Sequence, residues 1–207
     1  MSGDPKISPA TLNHVLATDP TFFQEIIGFL YKSNKGIATP ETSQAYFENA
    51  YRLLSQWNVV PGLNSEGNFE YSVFLKWYEK TLELCEQSGH LNIAKLHIGN
   101  VLFYVPEDKD GLWINKDIAS LLNKEENNTL REGYFQETIN SRSFGIVDFS
   151  GKKDFDRAKE FHDKAQSLEE FGFSNFAETL RLLEKDSKKD AERNINEGKI
   201  RNQKEEL

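Results

Sequence analysis

The side chains best suited to chemistry in this chain are its four histidines, and one of them, His162, is followed directly by Asp163. An imidazole and a carboxylate side by side are suitable ligands for a transition metal that activates water. A complete site of this kind needs a further histidine upstream and an aspartate downstream. The residues that could fill those places are His90, His97, Asp186 and Asp190.

This His-Asp pair resembles the paired metal ligands of the HD phosphohydrolases, which are also all-helical. The surrounding pattern argues against the same role here. If the helix buries the face that runs from Phe155 to Leu168, His162 falls at the edge of that face and Asp163 points toward water. No histidine has a glutamate three residues before it, and the His-Glu-x-x-His pair is absent. We therefore expect no metal, no cofactor and no catalytic activity, with the hydrolase as the alternative.

The single cysteine, Cys85, follows the apolar positions of a predicted helix. A buried cysteine of this kind usually behaves as a small hydrophobic residue, and one cysteine excludes an internal disulfide framework. His97 lies among Ala94, Ile98 and Val101 at helical spacing, which predicts a hydrogen-bonded core histidine. Neither residue indicates a nucleophile or a metal ligand.

The composition limits the kinds of molecule that the chain is expected to bind. The 207 residues carry a formal net charge of −8 with both signs interspersed, which disfavours binding to a phosphate backbone. No apolar run approaches the roughly twenty residues that span a bilayer, and the N-terminus lacks the order of a signal peptide. The sequence therefore predicts a cytoplasmic protein that binds neither nucleic acid nor membrane.

The elements that would position these residues are helices. Ser8-Pro9, Asp19-Pro20 and Thr39-Pro40 each combine a capping side chain with a proline suited to a first helical turn. The segment from Phe22 to Tyr31 is apolar nearly all round, which predicts a central buried helix. Only the stretch from Phe144 to Phe149 favours extended structure, because its β-branched and aromatic residues lie between glycines.

These patterns together predict an all-α fold, an array or bundle of about seven to nine helices in hairpins, with helical-repeat geometry left open. Residues 1–183 are expected to form one helical domain. Residues 184–207 carry balanced charges and few apolar side chains. They are expected to form a charged C-terminal helical tail that frays or awaits a partner.

Four residues are the candidates for contact with another protein: Trp57, Arg142, Phe144 and Phe149. Aromatic and arginine side chains are the types that anchor interfaces, and these four lie in or beside two predicted loops, at 58–68 and 140–154. The alternative for Trp57 is that it closes one end of the core.

Several segments follow one another in a distinctive order: Asp19-Pro20-Thr21-Phe22-Phe23, Ala50 to Trp57, Pro61-Gly62, His97-Ile98-Gly99, Val105-Pro106, Asp110-Gly111, Trp113 and Asn140-Ser141-Arg142. This succession resembles the C-terminal helical region of large bacterial multidomain proteins of the defence type. The resemblance implies a sensor or scaffold module of a longer polypeptide, without catalytic residues. Ser143-Phe144-Gly145 departs from it, because a small, glycine-rich continuation is expected there. We therefore expect a non-catalytic protein-interaction or scaffold module that binds a protein partner or other domains of a parent chain.

Overall fold

The computed structural model describes residues 9–37, 43–108, 111–142 and 148–205, and within these ranges the chain is all-α, as predicted. The only β feature there is an isolated antiparallel bridge between Leu63 and Phe69. Ser8, Thr39-Pro40 and most of the predicted extended stretch, including Phe144, lie outside the described residues. The helices are α1 (Pro9–Thr18), α2 (Pro20–Leu30), α3 (Gln44–Ser55), α4 (Tyr71–Ser88), α5 (Leu91–Leu102), α6 (Lys116–Asn123), α7 (Asn128–Asn140), α8 (Lys152–Glu170) and α9 (Ser174–Glu205).

The chain divides into two compact units, which we call unit 1 (Met1–Pro106) and unit 2 (Glu107–Leu207). The predicted boundary at residue 183 differs from this division, because it falls inside α9. The sequence conceals the junction at Pro106, since apolar helical stripes precede and follow it with only a short polar turn between them.

In unit 1, α2 is the central helix, as predicted: it packs against α1, α3, α4 and α5. Asp19 caps it by accepting hydrogen bonds from the backbone N–H groups of Thr21 and Phe22. Phe23 is buried from this helix, and its ring centroid lies 5.3 Å from Trp57 and 5.4 Å from Trp77. This aromatic cluster brings α2, α4 and the residues after α3 together.

The loop between α3 and α4 is ordered by its own hydrogen bonds. The Asn64 side chain accepts from the backbone N–H groups of Glu66 and Asn68, and the Glu70 N–H donates to the Gly62 carbonyl. Gly62 has φ of +86°, and a Cβ there would lie 2.7 Å from the Glu70 carbonyl oxygen. A tight hairpin therefore replaces the irregular loop that the turn residues suggest.

Unit 2 is built around the antiparallel pair of α8 and α9. Ala158, Phe161, Ala165 and Leu168 are buried from α8, as predicted. Phe155 was expected to point inward but is 43% exposed. The residue types predict Asp154 as the cap of this helix, but the helix begins at Lys152, after Gly151. The Asp154 carboxylate accepts instead from the side chains of Arg157 and Asn194.

The second half of α9 is packed rather than frayed. Glu184, Ser187 and Ala191 are buried among the residues that face α8. A Cβ at Gly198 would lie 2.8 Å from the Cβ of Phe149, so the absence of a side chain lets Phe149 lie against the helix. The residues predicted to form a charged tail that frays or awaits a partner therefore pack against α8 and the residues before it.

Candidate functional site

The third helix carries an unusual concentration of exposed aromatic side chains. Tyr46, Phe47 and Tyr51 expose 45%, 40% and 59% of their surface. Phe47 and Tyr51 are one turn apart and so lie on the same side of the helix. We call Phe47, Tyr51 and the flanking Glu48 and Arg52 the α3 aromatic face.

Local sequence explains why this helix forms and why it stays open to solvent. The Ser43 hydroxyl caps it by accepting from the Tyr46 backbone N–H. Only Ala50 and Leu54 are buried among its twelve residues. The ring of Tyr46 packs edge-on against Phe29 of α2, with centroids 5.0 Å apart, which anchors the helix beside its outward aromatic residues. Hydrophobic burial therefore holds α3 along one narrow stripe and leaves the rest uncovered.

A second surface feature of unit 1 is an apolar groove of about 440 Å³. Its walls come from the α1–α2 junction, the hairpin after α3 and the first turns of α4. Val73, one of its lining residues, is an aliphatic side chain that is 47% exposed. Glu70 and Lys76 are the charged residues of its lining. The other lining residues are Ala17, Thr18, Pro20, Gly62, Leu63, Asn64 and Trp77.

Trp57, predicted as a contact residue, lies in the core. Its side chain is buried against Phe23 and against Trp77, whose ring centroid is 5.9 Å away. α3 ends at Ser55, so Trp57 lies beyond the helix and turns into the aromatic cluster. The alternative interpretation, in which this ring closes the end of the core, describes its position.

The candidates from the second loop lie in unit 2. Arg142 is largely buried, and its Nη1 lies 3.5 Å from Asp186 Oδ2 and 3.3 Å from Asp190 Oδ2. Phe149 is partly exposed, packs on α9 and has the guanidinium of Arg201 over its ring at 5.7 Å. Both residues are therefore engaged in holding α9. Phe144 lies outside the described residues.

Asp163 is exposed on α8, as predicted from the helical pattern, and His162, predicted at the edge of the buried face, is exposed as well. The Nδ1 of His162 lies 2.8 Å from Arg181 Nη1 and 3.3 Å from Glu184 Oε1. Burial alone would raise the pKa of Glu184, but hydrogen bonds from Lys188, Arg181 and His162 outweigh it and lower that pKa. The arrangement is an ion-pair network that joins α8 to α9, and the positive charge of Arg181 at Nδ1 opposes a metal ion there.

The histidines offered to complete a metal site have other partners. His90 uses both ring nitrogens, Nδ1 with the Ser88 hydroxyl and Nε2 with the Tyr31 carbonyl. The His97 Nε2 lies 2.8 Å from the Tyr31 hydroxyl, and burial lowers the pKa of His97 to about 4. Asp186 and Asp190 pair with Arg142. Among the described residues, no cluster of three or more His, Cys, Asp or Glu side chains could hold a metal ion.

Cys85 is fully buried, as predicted, and burial raises the pKa of its thiol to about 12. Because the thiolate is the nucleophilic form, this cysteine is poorly suited to covalent chemistry at neutral pH.

Comparison with protein-family models, with curated proteins and with solved structures finds no match. In the part of the chain that the structure describes, no helix combines the length and the apolar character needed to cross a bilayer. Phe47 and Tyr51 are not among the predicted contact residues, although their spacing of four places them on one side of a helix. At helical spacing Tyr46, Ala50, Leu53 and Trp57 predict one buried stripe, and Phe47 and Tyr51 lie off that stripe.

Proposed function

We propose that this chain is a non-catalytic protein-interaction module and that it binds its partner through the α3 aromatic face. The observation that carries the proposal is the exposure of Tyr46, Phe47 and Tyr51 within two turns of one helix. Aromatic side chains are enriched in the centres of protein interfaces, where they bury much apolar area at a small cost in conformational entropy.

The way α3 is held supports a scaffold role. Ala50 and Leu54 attach the helix to the core, while the Phe29–Tyr46 contact fixes its rotation. The aromatic residues that point outward are thus presented on a rigid element, which lowers the entropy lost when a partner binds. The partner is a separate protein or another domain of a longer parent chain.

Affinity capture from the native host tests the proposal. Phe47→Ser with Tyr51→Ser should abolish recovery of a stoichiometric partner that the wild-type chain recovers. The matched control is Phe155→Ser, which removes an exposed aromatic residue from α8. Equal recovery by all three proteins would contradict a role for α3.

The hydrolase alternative is tested on the same samples. Bound manganese or iron that is lost in His162→Ala or Asp163→Ala would favour metal-dependent phosphohydrolysis over the interaction module. The network of His162 with Arg181 and Glu184 supports a structural role, so we expect no stoichiometric metal.

A further inference from the structure

Two exposed surfaces of unit 1 have complementary shapes. The α3 aromatic face projects large rings from a helix, and the groove beside Val73 is a concave apolar surface of about 440 Å³. That volume lies within the roughly 300–1,000 Å³ of typical binding pockets, so the groove has room for an aromatic side chain. Both surfaces are formed within the same unit.

The charges on the two surfaces are also complementary. Glu48 accepts a hydrogen bond from Gln44, and Arg52 donates one to Asn49, but no oppositely charged side chain pairs with either within the described residues. Glu70 and Lys76 line the groove, and neither forms an ion pair with another described residue. Each surface thus carries one acidic and one basic side chain that are available to a partner.

The spacing of these charges allows both to pair at once. Glu48 and Arg52 are four residues apart within α3, about 6 Å along the helix axis. Glu70 is the extended residue that precedes α4, and Lys76 lies in the second turn of that helix. All four side chains are long and flexible, so they can adjust to a difference in spacing between the two pairs. A helix laid along the first turns of α4 could place Glu48 near Lys76 and Arg52 near Glu70, with Phe47 and Tyr51 over Val73 and Trp77.

We infer that the chain forms a twofold dimer in which the α3 aromatic face of each copy docks into the groove of the other. Because one chain supplies one face and one groove, a reciprocal exchange closes the pair and leaves neither surface uncovered. This inference rests on the proposed function, since it takes the α3 aromatic face to be an interface, and it names a second copy of this chain as the occupant.

Sedimentation equilibrium of the purified full chain across a concentration series is the test. We expect the mass to rise from 23.8 kDa toward twice that value. Tyr51→Ser should weaken the dimer by roughly tenfold or more, because it removes a ring from the centre of both equivalent contacts. Phe155→Ser is the matched control and should leave the dimer unchanged.

A charge exchange tests the predicted pairing itself. Lys76→Glu alone and Glu48→Lys alone should each weaken the dimer by roughly tenfold, because each places like charges together twice. The double variant should return close to the wild-type affinity. Both substituted side chains lie at the surface, so circular dichroism should show unchanged helix content.

A chain that stays at 23.8 kDa at every concentration overturns the inference. So does a dimer that is insensitive to Tyr51→Ser, or one that the double charge exchange does not restore. A monomer that still captures another protein through Phe47 and Tyr51 would overturn the dimer and leave the proposed function standing.

Discussion

At the scale of single residues, Gly62 shows why the hairpin after α3 has the shape it does. Gly62→Ala should lower the free energy of unfolding by more than about 2 kcal/mol, because φ is +86° and the new Cβ would meet the backbone of Glu70 and Phe74 at 2.7 and 2.9 Å. Gly67→Ala is the control: φ is +81° there, but no atom lies within 4 Å. Gly67→Ala should lower the free energy of unfolding by only roughly 1 kcal/mol, which is the cost of the unfavourable backbone conformation. Urea denaturation measures both, and equal losses would exclude the close contact as the cause.

His97 should make the stability of unit 1 depend on pH. Burial lowers its pKa to about 4 in the folded chain from an ordinary value of 6.5, so folding favours the neutral imidazole. The stability that the folded chain gains while His97 is neutral is fully present above about pH 6.5 and is lost as the pH falls toward 4. The loss is roughly 3 kcal/mol at most.

Urea denaturation between pH 7 and pH 4 measures this dependence, and His97→Gln is the variant to compare. It should flatten this part of the profile, because glutamine has no proton to gain. A slope that is unchanged in His97→Gln would assign the dependence to other groups.

At the scale of the helices, Arg131 acts as a cap for the end of α6. Its Nη1 donates to the carbonyl oxygens of Leu122 and Lys124, both at 2.7 Å. Arg131→Met should leave these carbonyls without a partner and lower the free energy of unfolding of unit 2 by about 1–3 kcal/mol. The loss is measured as a lower melting temperature. Arg193→Met, which removes an exposed arginine from α9, should have little effect. Similar losses in the two variants would argue against capping.

The length of α9 leads to a second prediction at this scale. A chain ending at residue 183 should lose the helical structure of α8 as well, because Glu184, Ser187 and Ala191 are buried where α8 packs. Circular dichroism and hydrogen exchange measure the loss. A chain ending at residue 202 is the control, since it removes only the last turn of α9. If the shorter chain kept α8 protected from exchange, the second half of α9 would be a dispensable tail.

The positions of the helices can be predicted from local sequence patterns, but the roles of exposed and half-buried residues cannot. Gly89 ends α4 in the left-handed conformation, and Asp19 caps α2, as their residue types indicate. The packing of residues 184–205 was hidden because small residues such as Ser187 and Ala191 add little to an apolar pattern, yet they permit close helix contact. The exposure of Phe47 and Tyr51 depends on what α3 packs against, which periodicity alone does not give.

At the scale of the whole molecule, the chain divides into two compact units, and each contains buried aromatic residues. Phe23, Trp57 and Trp77 centre the first, and Tyr134 and Phe176 lie in the second with ring centroids 5.1 Å apart. Each unit therefore has enough buried aromatic surface to support its own fold. Residues 1–106 and 107–207, expressed separately, should each be helical and melt cooperatively. An unfolded fragment would mean that its core depends on the other unit.

The function proposed for the whole molecule depends on unit 1 and its uncovered helix. Photo-cross-linking in the native host, with benzoylphenylalanine replacing Phe47 in one variant and Phe155 in another, tests it most directly. We expect a discrete adduct of the chain from position 47 and none from position 155, both being exposed aromatic positions. An adduct of twice the chain's mass would identify a second copy, and a different mass would identify another protein. No adduct from position 47, or the same adducts from both positions, would contradict the assignment of α3 as the binding surface.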